Sequence, residues 1–455
     1  MSSRLVTQVL PKSIKKLIKK QGIPEKDLSI YVKDLNASKP LIALNIKKMR
    51  NPASTMKLLT TYSALKVLKP NYHWKTEAWI RGKLENGVLQ GDLILKGYGD
   101  PFLVHQNYWK FIQGIQDRGL KVIQGDVIID NSYFDLPPMD SGAFDHRPYR
   151  TYNAIPSALM YNFQASRFFF RPDKLNKKID IVPYPMVTEF NYVNKVKYTS
   201  GRCRRSHYLP SFSKKGKTII ISGSYSEKCG QQYILRALSD PAHHAFNGFR
   251  DFWTGMGGKL QGGFRRGIVQ PGDRKLHTYF SASLGDQIRV INKWSNNVMT
   301  RELMLTLGAK KYGKPATLEK GRKAIMQTLA ENGIDSNGVI IDNGSGLSRI
   351  ARINASQHAQ LLEHAWRDEF MPEFMSSLSL SGLDGTLVNR FRDDAMQGRT
   401  HMKTGTLKNA KSIAGYMLSR KGKWLVVVMH QNGPKVSGGR GTRLQNAVLR
   451  WVFEQ

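Results

Sequence analysis

The strongest constraint on how this chain can fold is a texture that changes twice along its length. Residues 51–59 read Asn-Pro-Ala-Ser-Thr-Met-Lys-Leu-Leu, and Leu58, Tyr62, Leu65 and Leu68 then fall at helical spacing until Pro70 ends the pattern. Before this helix, 28–34 alternates as a strand and, with 41–46, reads as a hairpin. From residue 74 short strands take over: 74–80, then 88–95 after an Asn86-Gly87 turn. Residues 91–130 read as a strand-helix-strand unit around Tyr108, Ile112 and Ile115, and 152–261 is strand-rich, with 179–182 and 218–222 clearest and a helix over 245–256. Helical texture returns near Ser283, through Ile288 and Ile291, and through Leu318, Ile325 and Leu329 up to Asn332-Gly333. A strand is expected at 339–341, a hairpin from 413–418 and 424–430, and a last helix on Leu444, Val448 and Val452. The simplest topology is a discontinuous first domain, with the strand-rich middle inserted between its two parts.

At 455 residues the chain is long enough for two to four domains, and no apolar run approaches the ~20 residues that span a bilayer. The net charge of +36 points to a polyanionic neighbour: nucleic acid, an anionic membrane surface or an acidic wall polymer. The basic residues are spread along the chain, and there is no zinc-finger spacing, RNA-binding aromatic motif or Gly-rich phosphate loop. Charge therefore names a class of partner and not an activity. Cys203 and Cys229 permit one disulfide in an oxidising compartment or two free thiols, and without a nearby His pair they cannot make a structural zinc site. Residues 11–20 place Ile14, Leu17 and Ile18 on one face, which fits a surface helix packed on a core better than a membrane-lying one. Residues 1–10 lack the continuous apolar stretch of a signal peptide.

Three short motifs carry the chemistry. Ser54-x-x-Lys57 puts a hydroxyl beside an amine on one face of a helix start, where the helix end favours developing negative charge. Taken alone it equally describes a capping serine and a solvated lysine. Ser295-Asn296-Asn297 follows about 240 residues later, and Lys403-Thr404-Gly405-Thr406 lies near the end. Alone, the first of these reads as a loop or cap and the second as a turn. Together they divide the work of acyl transfer. Ser54 attacks a carbonyl, and Lys57 is its base if burial and the neighbouring cation Lys403 keep it neutral. Ser295 relays a proton to the leaving amine, and Asn297 holds the substrate amide and the lysine. Lys403 faces a substrate carboxylate with the Thr404 and Thr406 hydroxyls, while Gly405 permits close backbone approach. The amides of Ser54 and Thr406 form the oxyanion hole.

This trio in this order resembles that of serine penicillin-binding enzymes. The long insert narrows the resemblance to the low-molecular-mass, class C penicillin-binding proteins of the D-alanyl-D-alanine carboxypeptidase/endopeptidase type, peptidase family S13. The 342–349 stretch is similar to the family's Asp-Gly-Ser-Gly-Leu-Ser-Arg signature with Asn343 added, and Gly99-Asp100-Pro101, Tyr152-Asn153-Ala154 and 382–387 are further echoes. The resemblance implies an α/β (α+β) fold: a transpeptidase-like domain, with an antiparallel sheet between helices, over 1–61 and 270–455, and two inserted β-rich domains over 62–86 with 157–269 and over 87–156. It also implies substrate-binding roles for Arg349 and Tyr152. Peptidoglycan stem peptides and their crosslinks would be the substrates and β-lactam antibiotics the acylating ligands. No cofactor, metal or nucleic acid is expected; an anionic envelope surface is a further partner. The acidic residue that some members carry just before the aromatic is replaced by His146-Arg147-Pro148-Tyr149-Arg150, with Asp145 the nearest acid. Membership implies a periplasmic protein whose leader is missing from the sequence, and in that compartment the cysteines lean towards a disulfide. The competing readings are a β-lactamase or esterase on the same scaffold, and a basic binding protein with an inactive site.

Overall fold

The computed structural model describes residues 10–204 and 209–455; residues 1–9, part of the stretch on which the missing-leader expectation rests, lie outside the described residues. The chain divides into two compact units, 1–73 with 282–455, and 74–281.

The first unit begins with α1 (Lys12–Gln21), β1 (Leu28–Asp34), β2 (Ile42–Leu44) and α2 (Lys57–Leu68). The second runs through β3 (Lys75–Glu85), β4 (Val88–Gly97), α3 (His105–Asp117), β5 (Val122–Ile123), β6 (Val127–Asp130), β7 (Ser166–Asp173), β8 (Lys178–Tyr184) and β9 (Asn191–Thr199). It continues with β10 (Ser211–Lys215), β11 (Thr218–Ser226), β12 (Gln232–Arg236), α4 (Pro241–Gly255), β13 (Lys259–Leu260), β14 (Phe264–Arg266) and β15 (Arg274–Phe280). The first unit resumes with α5 (Leu284–Trp294), α6 (Asn297–Tyr312), α7 (Leu318–Glu331), α8 (Ala355–Trp366), α9 (Met371–Ser376), β16 (Ser379–Leu380), β17 (Thr400–Leu407), β18 (Ala410–Leu418), β19 (Trp424–Asn432) and α10 (Arg440–Phe453).

The first unit is built on a six-stranded sheet in the order β16-β17-β18-β19-β1-β2, antiparallel throughout. Helices cover both faces. Ile14 and Ile18 of α1 and Leu444, Val448 and Val452 of α10 pack on Leu28, Ile30 and Val32 of β1 and on Leu425, Val427 and Met429 of β19. The alternate residues point to α8: Tyr31 donates its hydroxyl to Glu363, Tyr416 to the Leu362 carbonyl, and His430 meets His358. Covering on both faces explains why β19 reads as a nearly unbroken apolar run. α1 is thus a surface helix with its apolar face on a core, as its spacing predicts.

The second unit holds a seven-stranded sheet made from β3 to β6 and β13 to β15, with α3 and α4 packed in its core. β4, α3 and β6 form a parallel crossover, the strand-helix-strand unit expected over 91–130. β7, β8 and β12 form one small sheet and β9 to β11 another, and Phe168, Phe170, Ile219, Ile221 and Tyr225 share a core between them. Cys203 and Cys229 are joined in a disulfide.

The divisions differ from those expected at 61, 86 and 270. A break after 61 would cut α2, which is one continuous buried helix to Leu68. A break after 86 would fall in the turn between β3 and β4, which pair from Thr76–Gly97 to Glu85–Val88. β15 pairs with β3, so residues 274–280 belong to the inserted unit and not to the first one. The strand expected at 339–341 is only an isolated bridge between Ile340 and Arg352.

Candidate active site

Ser54 lies in a 3-10 turn, Ala53–Met56, that runs straight into α2. Its hydroxyl does not cap the helix, which leaves it for other partners. The turn is held from several sides. Asn51 and Asn432 exchange hydrogen bonds at 2.7 and 3.0 Å, Asn51 donates to the Ser348 carbonyl at 2.8 Å, and Ser412 donates to the Pro52 carbonyl. Ala53 sits at φ 48°, a left-handed conformation that costs a non-glycine residue energy and places the next side chain by over-determination.

Lys57 opens α2 and is fully buried. The sequence gives α2 one apolar stripe, but the helix is buried nearly all round, because α5, α6 and α7 surround it. Lys57 Nζ lies 2.6 Å from Asn297 Oδ1, 2.6 Å from the Ser345 carbonyl and 3.4 Å from Ser54 Oγ. Burial, then the charges of Lys403 and Arg301, push its pKa well below that of an ordinary lysine. Both close partners are carbonyl oxygens with no proton to give, so each takes an N–H from Lys57, and Ser54 is the one neighbour of the three with a hydroxyl proton.

Ser295 and Asn297 come from the junction of two helices. Ser295 ends α5 in a left-handed conformation at φ 58°, Asn296 caps α6 by accepting from the Met299 amide, and Asn297 is the first residue of α6. Lys403, on β17, is fully buried and donates to Ser295 Oγ at 2.9 Å and to the Thr404 carbonyl at 2.8 Å. Burial lowers its pKa to about 7. Thr404 donates to the Thr386 hydroxyl at 2.7 Å. β16 pairs only with His401 and Met402, so the outer edge of β17 from Lys403 to Thr406 has no strand partner among the described residues. Gly405 is needed for a closer contact than the sequence implies: a Cβ there would stand 2.3 Å from Ser412 Oγ and 2.7 Å from the Ser54 amide nitrogen. The strand therefore lies directly against the serine turn.

Ser54, Lys57 and Asn297 thus form one hydrogen-bonded group and Ser295, Lys403 and Thr404 another, linked by the charge of Lys403 acting on Lys57, and Gly405 seats the strand against the serine turn. Thr406 is exposed on the free edge. The hydrogen bonds described do not pass through Arg349, which is exposed and whose carbonyl accepts from Arg352. Tyr152 belongs to the second unit, where its hydroxyl donates to Asp145 at 2.7 Å; Asn153 donates to the same carboxylate at 2.8 Å. The spacing of motifs did not reveal Arg301, nor the Ser345 carbonyl, nor Thr386. The signal for the last two was present in the 342–349 and 382–387 echoes, but without a role. Among the described residues no group of three or more His, Cys, Asp and Glu is placed to hold a metal ion, and no helix is long and apolar enough to cross a membrane.

The state of Lys403 sets a pH dependence. Its folded pKa of about 7 lies below the 10.5 of a free lysine, so between these values the unfolded chain holds a proton that the folded chain does not. This contribution to stability is complete above 10.5 and is lost as pH falls towards 7. Between pH 7 and 9 the protein should gain on the order of 2 kcal/mol relative to Lys403→Met. Urea midpoints at the two pH values measure this; parallel midpoints for both proteins would show that the amine is not held neutral.

A curated relative, D-alanyl-D-alanine carboxypeptidase DacB of Haemophilus influenzae, is 23% identical over 418 residues, covering 91% of this chain and 87% of its own. The crystal structure of penicillin binding protein 4 from Haemophilus influenzae, solved also in complex with a β-lactam, superposes with a TM-score of 0.81 at 20% identity, covering 97% of this chain and 99% of that one. A predatory peptidoglycan endopeptidase from Bdellovibrio bacteriovorus shares the fold at a TM-score of 0.53 and 14% identity, over 93% of this chain and 92% of its own. The model of the D-Ala-D-Ala carboxypeptidase 3 (S13) family matches residues 10–455, and the chain belongs to that family.

Proposed function

We propose that the protein is a serine D-alanyl-D-alanine carboxypeptidase working through an acyl-enzyme on Ser54. The observation that carries this reading is the fully buried Lys57 amine, which donates to two carbonyl oxygens and lies 3.4 Å from the Ser54 hydroxyl. Ser54 Oγ adds to the carbonyl of the penultimate D-Ala while its proton passes to Lys57 Nζ. The tetrahedral oxyanion is held by the amides of Ser54 and Thr406, donors of a kind whose single loss costs ~3 kcal/mol. The C–N bond breaks, and the departing amine of the last D-Ala takes a proton by way of Ser295. Water then attacks the ester, again with Lys57 as base. The free edge of β17 receives the substrate backbone as an added strand, and Lys403, Thr404 and Thr406 hold its terminal carboxylate. Arg349 adds an exposed cation at the end of the 342–349 loop.

The same attack cleaves a D-Ala-to-diamino-acid crosslink where the leaving amine belongs to a second stem peptide, so endopeptidase activity is a second reaction of one site. The endopeptidase name of the Bdellovibrio protein favours including it. β-Lactams acylate the same serine, and a peptidoglycan substrate places the protein in the periplasm.

Purified protein incubated with a fluorescent penicillin should carry a stable covalent label that Ser54→Ala lacks, and should release D-Ala from a peptide ending in D-Ala-D-Ala. Rapid loss of label with hydrolysis of the drug would favour a β-lactamase. A folded wild type with neither label nor release would end the enzymatic reading.

A further inference from the structure

The second unit contains a cavity of about 520 Å³ that none of the chemistry above uses. Its walls come from three places: the 146–150 segment, the 209–214 stretch that leads into and along β10, and Arg236 at the end of β12. The Ala237 amide donates to the Tyr149 carbonyl at 3.0 Å and ties the segment to the end of β12.

Four cations converge on this space: Arg147, Arg150, Lys214 and Arg236. Lys214 and Arg147 are exposed, whereas Arg236 is only 6% exposed. None of the four makes an ion pair among the described residues. Arg236 donates to the Leu235 carbonyl at 2.9 Å and the Pro210 carbonyl at 3.5 Å, and its guanidinium lies 4.6 Å from the centre of the Phe212 ring. Burial and the charge of Arg150 hold its pKa down to about 10. The nearest acid in sequence to the segment does not compensate. Asp145 is absent from the walls, and its carboxylate accepts from Tyr152, from Asn153 and from the Arg147 amide.

A buried guanidinium facing another cation, with only carbonyls and a ring for partners among the described residues, is an unfavourable arrangement that a bound anion relieves. Guanidinium groups present a planar fork of donors suited to phosphate, and a phosphate monoester brings up to two negative charges and three acceptor oxygens to the four cations. The volume is that of a small-molecule site, larger than one inorganic ion needs. Tyr149 and Phe212 offer aromatic surface for the body of such a ligand, with Ser211 and Ser213 hydroxyls beside them. The net charge of +36 concentrates anions around the whole molecule.

We propose that this cavity binds a phosphorylated saccharide, either free or as the end of a longer phosphorylated glycan. The site is independent of the serine chemistry, so its failure leaves the acyl-enzyme reading untouched.

Isothermal titration of the full chain with glucose 6-phosphate, glucose and inorganic phosphate, at one fixed salt concentration, tests it. Glucose 6-phosphate should bind saturably and at least tenfold more tightly than inorganic phosphate, and glucose should not bind. The double variant Arg150→Ala/Lys214→Ala, which leaves the buried Arg236 in place, should weaken the sugar phosphate tenfold or more with an unchanged melting temperature. Phosphorylated lipopolysaccharide that competes more strongly, phosphate for phosphate, than glucose 6-phosphate identifies the polymer as the source; equal competition identifies the free sugar phosphate. Absence of saturable binding, equal affinity for inorganic phosphate, or undiminished binding by the double variant would each overturn the proposal.

Discussion

Lys57→Met is expected to lower the rate of acylation by a fluorescent penicillin, and of D-Ala release, by about a thousandfold or more, within the range seen when a positioned base is removed. Methionine keeps the length and the apolar stem and loses only the amine. The variant leaves Asn297 Oδ1 and the Ser345 carbonyl without their donor, each an unsatisfied buried acceptor costing about 1–3 kcal/mol. Against this, an amine that was fully desolvated is gone. The melting temperature should therefore move far less than the activity does. Lys57→Arg separates charge from basicity. A guanidinium cannot give up its proton under these conditions, so it places a cation there and no base. Acylation by the arginine variant at more than a tenth of the wild-type rate would show that Lys57 works through its charge.

The parts of this site that could be read in the sequence are those carried by side-chain type at fixed local spacing. Ser54 and Lys57 are three residues apart at a helix start, and that geometry follows from the helix alone. Bringing Asn297 and Lys403 to them is a tertiary event, and the order of the motifs was the only trace of it. What stayed illegible is what the backbone supplies. The acceptor that fixes the lysine's second hydrogen is a carbonyl, at Ser345, and any residue type could have provided it. Arg301 is invisible for a different reason. It sits on α6, buried along with nearly every residue of that helix, so no amphipathic pattern marks it out from a surface cation. α2 misleads in the same way: its polar residues Thr60 and Thr61 break the apolar stripe, yet they are buried and donate to the Gly344 and Lys57 carbonyls. The sheet fared better, because β19 and β18 are long and strongly apolar. The boundaries fared worst, because β15 returns to β3 across almost 200 residues, and pairing at that distance leaves no mark on either strand.

Gly346→Ala is expected to be the most damaging single methyl group near the site. Gly346 holds φ at 77°, and a Cβ there would stand 1.8 Å from the Ala53 carbonyl oxygen and 3.1 Å from Met56 Cβ. The left-handed conformation alone costs alanine about 1–2 kcal/mol. The contact with a backbone carbonyl cannot be relieved by a rotamer change, and forced overpacking adds about 1–3 kcal/mol. Together these should lower the melting temperature by on the order of 10 °C in a unit of this size. The displaced groups also matter for chemistry. Ala53 precedes the nucleophile, and Ser345, whose carbonyl holds Lys57, precedes Gly346, so the methyl pushes apart the two sides that align hydroxyl and amine. A misplacement of about 1 Å in such an arrangement costs about a hundredfold in rate. Gly22→Ala is the control, left-handed at φ 62° and ψ 25° with nothing within 4 Å of its Cβ. It carries only the conformational term, so it should lose about 1–2 kcal/mol and acylate normally. If the two variants melted together and labelled at the same rate, the close approach of the 342–349 loop to the serine turn would have no part in positioning Ser54.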